Sequence, residues 1–370
     1  MTAAKPLTRP LEPGAAIGIL GGGQLGRMLA MAAARLGFKV HIYSDHDDAP
    51  AFLVAAARCQ ASYTDRKSLE EFSKTVSLAT FEFENVPEIA ATILCQHVRV
   101  APPPQALAVA QDRFLERKFL GGLGIPVAPY QFIGNEKQID DALRAIGTAA
   151  ILKTSRLGYD GKGQKRVRTP AEARAAFESF NSVPCILESV VDFAFETSVI
   201  AARGRDGSFV AYDPPENEHG GHILRRSTVP SRLTHTQTGK AKAIARKIAE
   251  ALDYVGVLCV ELFVTKDGKL LVNEIAPRVH NSGHWTIDAC LTSQFEQHVR
   301  AIAGWPLGDT KRHSDAVMEN IIGDDVNNWL KLAGEPAGLH LYGKKEARPM
   351  RKMGHITRLS PLGTLRKQTP

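Results

Sequence analysis

Three glycines in residues 16–28, "AIGILGGGQLGRM", constrain the start of the chain more than any other feature. Gly21, Gly23 and Gly26 follow an apolar run and precede an Ala/Leu/Met-rich stretch, which predicts a strand, a tight turn and a helix. "KVHIY" then predicts a second strand, so the segment is typical of a β-α-β unit whose glycine turn binds a phosphate. Asp45 lies roughly 20 residues beyond the glycines, where a dinucleotide-binding fold places its ribose-binding carboxylate. Taken alone, this segment favours NAD.

Composition excludes several classes of protein. The 370 residues allow two or three domains, and 44% hydrophobic with 23% charged residues is ordinary for a globular protein. We expect no membrane partner, because no apolar stretch approaches the ~20 residues of a membrane span. The five cysteines are widely spaced and contain no C-x-x-C, which predicts free thiols in a reducing cytoplasm.

The net charge of +7 raises the question of nucleic acid. The basic residues are scattered, and their densest cluster, "YGKKEARPMRKMGH" at 342–355, has no interleaved aromatic residues. A polyanionic small molecule explains such a local cluster, so we expect no nucleic-acid partner.

The order of apolar runs predicts an α/β chain. Strands that alternate with helices are expected at 16–20, 39–43, 77–81 and 98–100. "APPPQ" then marks a boundary, and residues 106–124 predict a single helix. Short strand-like runs, a helix over 239–256 and two strands joined by "KDG" follow, and a partly β tail begins after Trp305-Pro306.

Glu261 and Glu274 lie on the two strands around "KDG". Pairing inward from that turn sets Glu261 opposite Asn273 and Glu274. Two carboxylates close together in a buried place require a proton or a cation, and an all-oxygen ligand set favours Mg²⁺ or Mn²⁺ over zinc. The alternative is an ordinary hairpin with two edge-exposed glutamates.

Lys153 ends an apolar strand and is followed by the segment 158–164, here called the glycine lid, with Gly158, Gly161 and Gly163. Glycines let backbone N–H groups close on phosphate oxygens, and the lysines supply charge. The alternative is a solvated hairpin turn, and no P-loop motif is present. Glu188 closes one strand and Glu196 opens the next. In an ATP site the hinge after Glu188 would read adenine and Glu196 would accept ribose hydroxyls; without a nucleotide, both are surface acids.

This order of a strand-end lysine, a glycine lid, a hinge glutamate and a Glu…Asn-Glu pair resembles the ATP-grasp superfamily. Within it, "GILGGGQLGRM", "TFEFENVP", "KTSRLGYDGKGQ" and "NEIAPRVHNSGHWT" are similar to the family of N5-carboxyaminoimidazole ribonucleotide synthases, over about residues 16–358. The resemblance implies a ligase that uses ATP and bicarbonate to carboxylate 5-aminoimidazole ribonucleotide, through carboxyphosphate, in purine biosynthesis. It also implies a homodimer in the cytoplasm.

The resemblance implies an α/β, ATP-grasp fold. The expected divisions are a loose tail (1–15), a Rossmann-like N-terminal (pre-ATP-grasp) domain (16–105), an ATP-grasp domain (106–305) with a lid subdomain at about 125–195, and a small β-rich C-terminal subdomain (306–370). In that family the glycine turn contacts the phosphate of the substrate nucleotide, so Asp45 loses its NAD role. The N-terminus of the helix after Gly26 would still offer unpaired N–H groups to an anion.

The resemblance also implies the site residues. Those expected to bind ATP are Arg113, Lys153, Gly158, Gly161, Lys162, Gly163, Gln164, Glu188, Ser189, Val190, Val191, Glu196 and Asn273. Those expected to bind the ribonucleotide are Gly23, Gln24, Leu25, Glu84, Tyr159, Asp160, Arg278, His280, Asn281, Ser282, Lys345 and Arg351. Glu261 and Glu274 would bind the metal, and Asp160, Lys153, Arg278 and Lys345 would be catalytic, with Asp160 orienting the amine or accepting its proton.

Some assignments stay open. Either Arg225 or Arg226 could meet bicarbonate, and the varied segment "PPENEHGGHILRRS" leaves His219 and His222 without a role. The alternative functions are another ATP-grasp ligase that uses formate or an amino acid, an NAD(P)-binding oxidoreductase, and a non-catalytic binding protein.

Overall fold

The computed structural model describes residues 9–156, 158 and 162–365. Residues 157 and 159–161, in and beside the predicted glycine lid, lie outside this set. No helix in the described ranges is long and apolar enough to cross a membrane. Each of the five cysteines is a free thiol, as predicted.

The N-terminal part is a parallel sheet of order β3-β2-β1-β4 with helices packed on it. Its elements are β1 (Ala16–Leu20), α1 (Gln24–Arg35), β2 (Lys39–Ser44), β3 (Ala57–Gln60), α2 (Arg66–Ser73), β4 (Leu78–Phe81) and α3 (Glu88–Cys95). Three predicted strands correspond to β1, β2 and β4, whereas Val100 of the fourth makes only an isolated bridge to Ala79. β3 was not predicted, because its residues "ARCQ" are mostly exposed and show no apolar alternation.

The single helix predicted over 106–124 is wrong. The structure has two helices, α4 (Pro104–Ala110) and α5 (Arg113–Gly122). Asp112 breaks the run, because its side chain accepts hydrogen bonds from the backbone N–H groups of Phe114 and Leu115 at 3.0 and 3.3 Å and so begins a new helix. This cap fixes the direction of α5, which begins at Arg113, one of the predicted ATP-binding residues.

A second sheet, here called the lid sheet, is antiparallel and has the order β5-β8-β6-β7. Its elements are β5 (Tyr130–Ile133), α6 (Ile139–Ile146), β6 (Ala150–Thr154), β7 (Gln164–Val167), α7 (Pro170–Ser179) and β8 (Cys185–Ser189). Leu152 and Leu187 lie opposite each other in the β6–β8 ladder and are buried beneath α6 and α7. The lid sheet therefore has a small core of its own.

The largest sheet has the order β14-β13-β9-β11-β12-β15-β17-β16, with β10 paired to β9. Its elements are β9 (Phe193–Arg203), β10 (Phe209–Ala211), β11 (Glu216–Gly220), β12 (Ile223–Val229), α8 (His235–Ala251), β13 (Gly256–Thr265), β14 (Leu270–Ala276), α9 (Thr286–Ala289), α10 (Gln294–Ala303), β15 (Asp315–Ile322), α11 (Trp329–Ala333), β16 (Gly338–Leu341) and β17 (Lys352–Ser360). The pairing of β12 with β15 joins the C-terminal strands directly to the strands of the predicted ATP-grasp domain.

The N-terminal sheet and the large sheet share one hydrophobic core. Leu29 and Ala33 of α1 and Phe295 and Val299 of α10 belong to the same buried cluster. His298, also on α10, is fully enclosed: its Nδ1 accepts the backbone N–H of Val257 at 3.1 Å, and its Nε2 lies 2.9 Å from Thr80 Oγ1 in β4. This imidazole thus connects both sheets.

We expect His298 to make the fold sensitive to acid. Burial lowers the pKa of His298 to about 3, below the ~6.5 of an unfolded histidine. Its contribution to stability is therefore fully present above pH ~6.5 and is lost as the pH falls toward 3, at up to about 1.4 kcal/mol per pH unit. Urea unfolding over this pH range should show a shallower loss of stability in His298→Gln than in the wild type. Exposed His235→Gln is the control, and equal slopes in the wild type and His298→Gln would contradict the assignment.

Candidate active site

A cavity of about 970 Å³ lies between the glycine turn of the N-terminal sheet and the β13–β14 hairpin. Of the predicted residues, it is lined by Gly23, Gln24, Leu25, Glu84, Arg113, Lys153, Gly158, Lys162, Gln164, Glu196, Glu261, Asn273, Glu274, Arg278, His280, Asn281 and Arg351. The sequence segments that were singled out separately therefore meet around one space. Asp45 is exposed at its rim.

The glycine turn is filled by a carboxylate of the protein itself. Glu82, which the sequence analysis missed, accepts the backbone N–H groups of Gly23 and Gly26. The close approach needs glycine: Gly21 has φ +108°, and a Cβ there would lie 2.3 Å from Glu82 Cγ. The expectation that the helix after Gly26 offers unpaired N–H groups is wrong for these two amides. A dinucleotide pyrophosphate would need the place that the carboxylate occupies.

Glu84 and Arg278 form an ion pair at the next position along the cavity. Arg278 donates to both carboxylate oxygens of Glu84, through Nη2 at 2.9 Å and through Nε. Burial raises the pKa of Glu84, but the adjacent guanidinium outweighs that effect and the net shift is downward. Glu84 therefore fixes the direction of Arg278 in the cavity wall.

The two predicted metal ligands face each other across the hairpin. Glu261 pairs with Glu274, and a bulge at the next step leaves Asn273 as the extra residue, since Leu262 pairs with Val272. Burial and the nearby Glu274 raise the pKa of Glu261 to about 7. The two carboxylates thus fit a divalent cation, which would remove the electrostatic cost of holding both ionised.

His280 orients the carboxylate of Glu261. Its Nε2 lies 3.1 Å from Glu261 Oε1, and its Nδ1 accepts the backbone N–H of Ser282 at 3.3 Å. Burial holds the pKa of His280 well below its usual value, so the ring is neutral and donates its Nε2 proton to the carboxylate. Ser282 is fully buried, does not line the cavity, and bonds His280 and Ser198 instead.

The strand-end Lys153 is held in a buried ion network. Lys153 Nζ donates to Glu188 Oε2 at 2.5 Å, and Arg117 Nε donates to Glu188 Oε1 at 2.6 Å. Arg117 also donates to Glu116 Oε2 and to the carbonyl oxygen of Asn273, each at 2.7 Å. Burial raises the pKa of Glu188, but Lys153 and Arg117 outweigh it and lower the net value to about 2. The Glu188 side chain therefore orients two cations.

A smaller cavity of about 120 Å³ adjoins this network. The hinge residues Ser189, Val190 and Val191 line it, together with Phe193 and Phe263, whose rings stack with centroids 4.9 Å apart. Backbone groups of the hinge beside flat apolar walls suit a planar heterocycle.

Gly158, in the described part of the glycine lid, contacts Arg113. Arg113 Nη2 donates to the carbonyl oxygen of Gly158 at 3.3 Å, and its Nη1 lies 3.5 Å from Glu274 Oε2. Gly163 does not line the cavity; it makes the positive-φ turn that returns the lid to β7. Tyr159, Asp160 and Gly161 lie outside the described residues.

His219 joins the predicted ribose-binding carboxylate. Its Nδ1 lies 2.6 Å from Glu196 Oε2, and both side chains line the large cavity with His222. Burial lowers the pKa of His219, but Glu196 outweighs that effect and the net shift is upward. Neither Arg225 nor Arg226, both described, lines the cavity, so the structure supports neither for bicarbonate.

The basic cluster near the C-terminus reaches the cavity through the expected Arg351 and through two lysines that were not predicted. Lys344, Arg351 and Lys352 line it, whereas Lys345 is exposed and does not. Lys344 Nζ donates to the carbonyl oxygen of Lys352 at 2.7 Å, which holds it on the cavity side. Composition cannot distinguish two adjacent lysines, so the assignment to Lys345 stays a prediction, and the geometry favours Lys344.

Three family models match successive parts of the chain. A family model of the ATP-grasp domain matches residues 118–295, one of the ribonucleotide synthetase preATP-grasp domain matches 15–111, and one of the phosphoribosylaminoimidazole carboxylase C-terminal domain matches 316–363. The chain is therefore an ATP-grasp protein with an N-terminal pre-ATP-grasp domain.

Its relatives define the family more narrowly. The chain is 53% identical over 354 residues to the N5-carboxyaminoimidazole ribonucleotide synthase of Brucella melitensis, covering 95% of this chain and 98% of the relative. It is 42% identical over 353 residues to that of Bacillus subtilis, covering 94% and 92%. The chain belongs to the family of N5-carboxyaminoimidazole ribonucleotide synthases, which are ATP-grasp ligases.

Solved structures are similar over nearly the whole chain. An ADP complex of an N5-carboxyaminoimidazole ribonucleotide synthetase is 42% identical with a TM-score of 0.91, covering 96% of this chain and 94% of the other. The Aspergillus clavatus enzyme in complex with ADP and 5-aminoimidazole ribonucleotide is 31% identical with a TM-score of 0.88, covering 94% of each chain.

Removing the charge of Glu188 should destabilise the fold. Glu188→Gln leaves Lys153 and Arg117 buried without their counter-charge, which costs about 3–5 kcal/mol when one partner of a buried pair is lost. Denaturant unfolding should show this loss, and Glu178→Gln, at an exposed position on α7, should leave the stability unchanged. A loss below about 1 kcal/mol, as for an exposed pair, would refute the role of the network.

Proposed function

We propose that this protein uses ATP and bicarbonate to carboxylate the exocyclic amine of 5-aminoimidazole ribonucleotide, giving N5-carboxyaminoimidazole ribonucleotide for purine biosynthesis. The observation that carries the proposal is the single cavity of about 970 Å³. We assign the strand-end lysine and the paired glutamates to one end and Lys344, Arg351 and Lys352 to the other; all of them line the cavity. Such a space accommodates two phosphorylated molecules with their reacting groups between them.

ATP binds at the hairpin end. Adenine occupies the smaller cavity against hinge residues 188–191, and Glu196, held by His219, accepts hydrogen bonds from the ribose hydroxyls. Arg113, Lys153 and the glycine lid contact the phosphates, with Asn273 beside them. Lys153 suits this role because Glu188 and Arg117 fix its position before the nucleotide arrives.

Glu261 and Glu274 would hold Mg²⁺ or Mn²⁺. When bound, the ion screens the charge on the ATP phosphates and so favours attack by an anion. His280 keeps Glu261 directed at this position through the 3.1 Å contact.

The ribonucleotide binds at the basic end. Its phosphate is placed against Lys344, Arg351 and Lys352, with Gln24 and Leu25 of the glycine turn beside it. Arg278 reaches the base or the carboxylating group because Glu84 holds it in the wall between the two ends.

The reaction proceeds by two displacements. A bicarbonate oxygen attacks the γ-phosphorus of ATP, which releases ADP and forms carboxyphosphate. The exocyclic amine then attacks the carboxyl carbon, phosphate leaves, and the amine loses a proton. Asp160 on the glycine lid orients the amine or accepts this proton, and lid closure keeps water from the mixed anhydride. We also propose a homodimer and a cytoplasmic location, on the family resemblance alone.

Phosphate release from MgATP tests the reaction. The purified protein is assayed with neither, either or both of bicarbonate and aminoimidazole ribonucleotide. We expect fast release that requires the ribonucleotide and rises with bicarbonate. ATP binding without release in any mixture would exclude this acyl acceptor and favour a sibling ligase that uses formate or an amino acid.

A pair of adjacent lysines tests the position of the substrate phosphate. Lys344→Ala should raise KM for the ribonucleotide at least about tenfold, because a lost charge-assisted contact is worth about 1.5–3 kcal/mol. Lys345→Ala, one residue away and exposed, is the matched control and should leave KM within about twofold. The reverse order of effects would show that Lys345, as the sequence predicted, is the ligand.

A further inference from the structure

Two histidines and an aspartate meet on the side of the large sheet that lies outside both cavities. His340 and His355 are direct partners in the β16–β17 ladder, and their rings stack with centroids 4.4 Å apart. Asp288 of α9 approaches them, with Oδ2 2.9 Å from His340 Nε2. One donor atom from each of the three residues lies within 4.8 Å of the others.

His355 has a nitrogen without a partner. The residue is fully buried, and its Nε2 makes no hydrogen bond to any described residue. Its Nδ1 lies 2.9 Å from the hydroxyl of Tyr342. If Nδ1 carries the proton and donates it to that oxygen, the Nε2 lone pair is available as a ligand, which is the arrangement that fixes metal-binding histidines. Burial keeps the pKa of His355 well below its usual value, so the ring is the neutral form that metals bind.

We propose that Asp288, His340 and His355 form a binding site for a transition-metal ion of the Zn²⁺ class. Two imidazoles with one carboxylate are a borderline ligand set that favours Zn²⁺ or Co²⁺, in contrast to the all-oxygen pair Glu261 and Glu274. The side chains of Asp288 and His340 are 18% and 25% exposed, so an ion has access and water completes a four-coordinate shell.

The site would connect a helix to an edge strand. β16 pairs with β17 alone among the described strands. Gly338 in β16 permits the approach of α9, since a Cβ there would lie 2.3 Å from Asp288 Oδ1. α9 follows closely after Asn281, which lines the large cavity. A bound ion therefore fixes the helix beside the substrate site without taking part in the reaction.

Cobalt binding tests the proposal. The full-length protein is freed of metal with a chelator and titrated with Co²⁺ in excess Mg²⁺. We expect about one equivalent per chain with the intense visible absorption of a four-coordinate, nitrogen-containing site, displaced by Zn²⁺. Zn²⁺ should also raise Tm. Failure to bind would show that Asp288 and His340 are an ion pair only.

Substitutions inside and outside the proposed site show whether Co²⁺ binds there or elsewhere in the protein. Asp288→Asn and His340→Ala change half-buried side chains and should each weaken binding at least about tenfold. Glu274→Gln and the exposed His235→Ala should keep the spectrum. Unchanged binding in the first pair, loss in Glu274→Gln, or a thiolate charge-transfer band in the near ultraviolet would each overturn the proposal. Phosphate release tests the chemistry in the large cavity, so its outcome does not decide whether Asp288, His340 and His355 bind a metal ion.

Discussion

The buried ion network around Glu188 determines the geometry of the part of the cavity where we propose that ATP binds. Its carboxylate lies in the lid sheet, Arg117 lies on α5, and Arg117 also binds the carbonyl oxygen of Asn273 in the hairpin. One guanidinium therefore connects the lid sheet, the helix and the strand that carries Glu274. Charges this deeply buried are tolerated only when each has its partners, so the arrangement of Lys153 relative to the paired glutamates is strongly specified.

Much of this architecture could be predicted from the sequence. The glycine turn, the apolar runs and the "KDG" hairpin identified β1, α1 and the opposition of Glu261 to Glu274, because local chemistry determines each of them. The four motifs shared with the family then predicted that ATP, the ribonucleotide and the glycine lid belong to one site. The fold and the family are confirmed, whereas the site assignments remain predictions.

What was missed depends on contacts between distant residues. Glu82 and Glu84 both belong to "TFEFENVP", yet only the fold shows that one fills the glycine turn and the other holds Arg278. Strand alternation gave no signal for them, since both lie beyond the end of β4 at Phe81. The role of Arg117 had no local signal, because a basic residue on a helix is usually solvated. Lys344 and Lys345 likewise differ only in the backbone turn that carries them.

The continuity of the large sheet has a mechanical consequence. The β12–β15 pairing places the hairpin with Glu261 and the strand that begins with Lys352 in one hydrogen-bonded ladder, whereas no described strand of the lid sheet pairs with a strand of that ladder. Bending the ladder would break several backbone hydrogen bonds, each worth about 1 kcal/mol. The lid sheet is joined to it by residues 190–192 and by the side-chain contacts of Glu188 and Arg117. The distance between the paired glutamates and the basic strand β17 is thus built into one stiff frame, on which the proposed positions of the two substrates depend.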